Sequence, residues 1–163
     1  MFITAHIAYP TLIFMLIANL FNINYSSTHI LILIFFSILP DLDNLVYGII
    51  TRSKKNLYGP HRKWFTHWPI TYTPFLVLLC FKPSLVLALI CFGIYFHFFL
   101  DTFLSEDGMM WLAPFSKKFF IFSKINLKER GGNFWFREYR KKLIFKVEVF
   151  SFVFLIIALL KIF

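Results

Sequence analysis

The chain has 163 residues, of which 59% are hydrophobic, 21% aromatic and 15% charged. Soluble domains carry about 25% charged residues, so this composition excludes a water-covered globule, and the length leaves no room for a separate soluble domain. The formal net charge of +9 calls for an anionic partner; beside a membrane that partner is lipid head groups, and no nucleic acid is expected.

A spanning helix needs about 20 mainly apolar residues. Five segments are candidates: 3–21, 29–50, 66–81, 84–104 and 143–163. The first carries His6 near its start. No basic n-region or small-residue cleavage site precedes it, so it is expected to be retained. Leu39-Pro40-Asp41-Leu42-Asp43 interrupts the second, and Pro69 and Pro74 shorten or kink the third. The fourth ends with His97-Phe98-Phe99-Leu100-Asp101, and the fifth closes the chain. Cys80 and Cys91 lie in apolar runs without a CxxC spacing and read as small core residues. The expected fold is therefore all-α, a polytopic membrane helical bundle with four to five spanning helices. Residues 1–115 would form a four-helix membrane metal-site domain, and 116–163 a basic interfacial segment plus a C-terminal apolar helix.

The basic residues orient this bundle. All but Lys82 and Lys161 of the 17 Lys and Arg residues fall within 52–63 or 117–146. Both loops then lie on one side, which the positive-inside rule makes cytoplasmic. The expected location is the inner membrane, with several crossings. In that arrangement His6, Asp41, Asp43, His61, His67, His97 and Asp101 all come to the cytoplasmic face, whereas His29 falls on the outer one and is not a ligand.

Ionisable groups in apolar segments are functional candidates, because burying their charge is costly. His97 and Asp101, at i and i+4, project from one helix face and can grip one ion, or Asp101 can orient the imidazole. Asp41 and Asp43 repel each other unless a cation or proton intervenes. Imidazole and carboxylate donors suit a divalent metal: zinc foremost, with manganese or iron as alternatives. The expected metal set is His6, Asp41, Asp43, His61, His67, His97 and Asp101. Asp43 or Asp101 would accept a proton, and Arg62 or Lys63 would hold an anionic group. Glu106-Asp107-Gly108 followed by Trp111, Pro114 and Phe115 reads as a helix stop and a turn back onto the membrane. The aromatic and basic residues from Phe115 to Lys146 suit a segment in the interface.

Laid out in order, these pieces resemble the YdjM-like family of membrane-bound, metal-dependent hydrolases. The matching residues are His6, Leu39-Pro40-Asp41-Leu42-Asp43, His61-Arg62, Thr66-His67, His97-Phe98-Phe99-Leu100-Asp101-Thr102, Gly108 and Trp111-Leu112-Ala113-Pro114-Phe115. The chain departs from the pattern at Trp68, where a small residue is common, and at Asn44, where histidine is frequent. The family is similar in turn to the all-helical zinc-dependent phospholipase C and P1-type nuclease group, whose ligands include a histidine followed four residues later by an aspartate, as in His97 and Asp101. The resemblance implies a cytoplasm-facing metal site that hydrolyses a phosphoester, such as a lipid head group. Two other readings use the same residues: polar groups that only join helices or hold a regulatory partner, and a small transporter that relays protons.

Overall fold

The computed structural model describes residues 3–43, 64–104, 108–122 and 139–162. Among these residues the chain forms five α-helices and no β-strand: α1 (Ile3–Leu20), α2 (Ser27–Ile38), α3 (Thr73–Phe81), α4 (Leu85–Phe103) and α5 (Leu143–Leu159). Their ends follow local chemistry. The Ser26 N–H donates to His29 Nδ1 at 3.2 Å at the start of α2, so His29 serves as a cap at the end of the bundle remote from the metal candidates. Leu87 N–H donates to the Ser84 side chain at 3.2 Å at the start of α4. Helix α2 gives way to a single 3-10 turn, Leu39–Asp41, at Pro40, whose ring has no N–H for the α-helical ladder. Two further 3-10 turns, Phe65–His67 and Pro69–Tyr72, lead into α3.

Two helices, α1 and α4, are long and apolar enough to cross a bilayer. Among the described residues, the apolar helical runs Ser27–Asp41 and Pro69–Phe81 are shorter than a span, and the part of the second expected segment after residue 43 lies outside the described residues. Helix α5 has 17 residues and carries Lys146 and Glu148.

The outside of this bundle is unlike that of a soluble protein, and its apolar interior also holds polar groups. His6, Thr11, Ser37, Asp43, His67, His97, Asp101, Thr102 and Glu148 are buried, while Leu16, Leu20, Phe35, Phe81, Phe99, Phe150 and Phe154 are exposed. Hydrocarbon satisfies such an exterior, whereas water does not. Cys91 is buried, but Cys80 lies on the exposed face of α3, so only one of the two cysteines is a core residue. Helix α4 packs against α2, α3 and α1, and α5 packs along α1. One apolar core joins Phe14, Ala18, Ile30, Leu33 and Leu89. A second joins Tyr72, Ile94, Phe98 and Met109 and underlies the polar end of the bundle.

Residues 108–122 fold back on the end of α4, as the turn signals predict. Met109 and Phe120 exchange backbone hydrogen bonds at 3.0 and 2.8 Å. The Trp111 indole N–H donates to Thr102 Oγ1 at 2.8 Å, and Phe122 N–H donates to the Thr102 carbonyl at 3.0 Å. Gly108 opens this hairpin at φ +68, where a Cβ would collide with the Phe120 carbonyl. Gly108→Ala is expected to lose at least about 1–2 kcal/mol, the cost of left-handed backbone for an L-residue. A thermal-shift measurement in detergent checks it, and an unchanged midpoint would show that the hairpin rearranges freely.

Candidate metal centre

The polar end of the bundle gathers side chains from four stretches of chain. His6 lies in the first turns of α1, four residues before Pro10, which has no N–H to give the His6 carbonyl. Asp41 ends the 3-10 turn after α2, and Asp43 follows it. His67 closes the turn Phe65–His67. His97 and Asp101 occupy one face of the last turns of α4. Helix α1 starts where α2 and α4 end, so residues from 6 to 101 meet at one level.

The nitrogens of these imidazoles fall into two groups. In two of the three rings the nitrogen facing away from the centre makes a short hydrogen bond: His97 Nδ1 lies 2.8 Å from the Ser37 carbonyl oxygen and His67 Nδ1 lies 3.0 Å from Asp43 Oδ2, whereas His6 Nδ1 is buried without a hydrogen-bond partner. A carbonyl only accepts, so His97 Nδ1 carries the proton and Nε2 keeps its lone pair. The inward Nε2 atoms stand further from carboxylates. His6 Nε2 is 3.5 Å from Asp101 Oδ1 and 4.0 Å from Asp41 Oδ2. His67 Nε2 is 3.4 Å from Asp41 Oδ1, and His97 Nε2 is 3.7 Å from both Asp41 Oδ1 and Asp101 Oδ2.

That contrast has a chemical meaning. Two donor atoms each about 2.1 Å from a tetrahedral ion lie about 3.4 Å apart, close to the inner separations, which run from the outer limit of a hydrogen bond to 4.0 Å. His97 Nε2 is buried without a hydrogen-bond partner, a cost that a cation removes. His6, Asp41 and His97 form one set whose donor atoms lie within 4.8 Å of one another, and His67, His97 and Asp101 form another. The His6 and His97 rings stack with centroids 3.9 Å apart, an arrangement disfavoured for two imidazolium ions. These residues fit a divalent cation. His97 and Asp101 are almost wholly buried, and Asp41, with its side chain 19% exposed, is the most open carboxylate of the group.

The structure thus brings together His6, Asp41, His67, His97 and Asp101, and sets Asp43 behind His67. His61, Arg62 and Lys63 lie outside the described residues. Sequence reasoning gave no role to Ser37, whose contribution is a backbone carbonyl, or to Thr66, whose hydroxyl donates to Asp43 Oδ2 at 2.6 Å. Thr66 entered the sequence reading only as part of the Thr66-His67 piece of the family resemblance, without a role of its own.

Fold and cluster define a class of protein: a mainly helical membrane bundle with histidines and aspartates buried at one end. The chain belongs to the YdjM inner membrane protein family, whose model matches residues 1–162, in agreement with the resemblance its motifs carry. No curated protein and no solved structure matches it.

Proposed function

We propose that the protein is a multi-pass inner-membrane, metal-dependent hydrolase acting on a phosphoester at the cytoplasmic face of the bilayer. The observation that carries this reading is the convergence of the Nε2 atoms of His6, His67 and His97 on the carboxylates of Asp41 and Asp101, at separations typical of atoms sharing one ion. Four to five crossings, with the basic loops inside, bring that end of the bundle to the inner leaflet.

His6, His67, His97, Asp41 and Asp101 would hold the metal, zinc foremost. When bound, such an ion lowers the pKa of a water from about 15.7 towards about 7 and polarises a phosphoryl oxygen. The chain's own residues do the rest. Asp101 takes up a proton on the buried side, Asp41 faces the opening, and Arg62 offsets negative charge on the phosphoryl group. Phe98 and the hairpin 108–122 close the site from α4's side and limit water. In this reading the basic loops face the head groups of the inner leaflet, so a lipid-borne phosphate is the expected substrate and anionic lipids are the expected partners.

The test is elemental analysis of the full chain purified in detergent, followed by hydrolysis of bis(p-nitrophenyl) phosphate and of phospholipid vesicles with and without chelator. Near-stoichiometric metal and hydrolysis abolished by chelation are expected. Well-folded protein without metal, or turnover that the chelator leaves unchanged, would overturn the reading. Because its ligands must be deprotonated, metal affinity should also fall as pH is lowered.

A further inference from the structure

We infer that Asp43 and Thr66 are positioning residues that hold His67 in register with Asp41, and that Asp43 is not itself a metal ligand. This inference rests on the metal-centre reading above and adds how one of its ligands is fixed.

Asp43 Oδ2 meets two groups at once: the Thr66 hydroxyl, which donates at 2.6 Å, and His67 Nδ1 at 3.0 Å. The hydroxyl spans from the residue before His67 to the acceptor that His67 uses, so carboxylate and imidazole are tied to the same turn. That turn is itself secured. The Tyr72 hydroxyl donates to the Thr66 carbonyl at 2.9 Å, and the Thr71 hydroxyl donates to the Phe65 carbonyl at 2.6 Å. With Nδ1 occupied, the ring presents Nε2 to Asp41 Oδ1 at 3.4 Å. Neither set of converging donor atoms includes Asp43. Carboxylates that accept from the far nitrogen of a ligating imidazole set its tautomer and its direction. Here the carboxylate is in turn aimed by a hydroxyl, which gives an outermost residue whose removal touches no proposed ligand.

The test uses the full chain in detergent with Thr66→Val, Thr66→Ser, Asp43→Asn and His67→Ala. Cobalt(II) is the probe, with affinity read by chelator competition and coordination by the visible spectrum. Thr66→Val and Asp43→Asn are expected to weaken cobalt binding about 10–100-fold at unchanged stoichiometry and unchanged band intensities. Thr66→Ser should restore wild-type affinity, and His67→Ala should change the spectrum itself. A spectrum altered by Asp43→Asn as by His67→Ala would make Asp43 a ligand, and unaltered affinity in Thr66→Val would remove the hydroxyl from the arrangement; either overturns the inference. The metal-free protein provides an independent reading in the imidazole proton and nitrogen NMR signals. The downfield His67 Nδ1–H resonance should move upfield in Asp43→Asn and in Thr66→Val. If the wild-type chain binds no cobalt while those shifts appear, the metal reading fails and the positioning of His67 stands. Absent shifts overturn the positioning.

Discussion

His97→Ala is expected to abolish metal retention, lowering affinity by more than about 100-fold, because even outer-shell partners of a ligand are worth about 10–100-fold. His97 belongs to both converging sets, and its Nε2 is buried with no hydrogen-bond partner, so its loss removes a donor from each set. Asp101→Asn should act in the same direction, leaving an amide oxygen as a weaker donor. Chelation of the wild-type chain should lower its melting temperature, since an ion at 100 times its dissociation constant stabilises by about 2.7 kcal/mol. His97→Ala should be insensitive to the same treatment. If the cluster only joined helices, each contact would contribute about 0.6–2 kcal/mol, and neither metal content nor chelator response would distinguish the variant. Elemental analysis paired with thermal unfolding separates the two outcomes.

The second large effect is expected at a residue that bears no donor atom. Gly93 lies one turn before His97, and a Cβ there would stand 3.1 Å from the Leu33 carbonyl and from the Ser37 amide nitrogen and hydroxyl. Helix α2 can approach α4 only because that Cβ is missing. The same close approach delivers the Ser37 carbonyl to His97 Nδ1. Gly93→Val must push α2 outward, at an overpacking cost of about 1–3 kcal/mol, and it withdraws the acceptor that orients His97. Metal affinity should fall about 10–100-fold with every proposed ligand still present. Val86→Ala, at an exposed position on α4, should leave both quantities unchanged. A Gly93→Val chain as stable and as tight-binding as wild type would show that the crossing does not hold His97 in place.

Much of this was legible in the chain because its markers are local. The apolar runs 3–21 and 84–104 match α1 and α4 to within a residue at each end, and the distribution of Lys and Arg put His6, Asp41, His67, His97 and Asp101 at one end before any packing was known. The i, i+4 spacing of His97 and Asp101 survives directly as one face of α4. Partners drawn from the backbone were not legible, since the Ser37 carbonyl has no side-chain signature. Asp41 and Asp43 point to different sides for a geometric reason: residues two apart on a helical turn do not share a face. Asp41 therefore faces the centre and Asp43 the far side of His67. The exposed Cys80 shows a further gap, because an apolar run bathed in lipid looks the same as one packed in a core.

The level meeting of chain positions 6, 41, 67, 97 and 101 also carries a consequence for biogenesis. Both converging donor sets include His97, which enters with the final turns of α4. Binding free energy is then released only at the end of insertion, once α1, α2 and α4 are already side by side. Loading would therefore act as a late seal on the assembled bundle, and a nascent chain halted before residue 97 should pass through the translocation machinery without acquiring a cation.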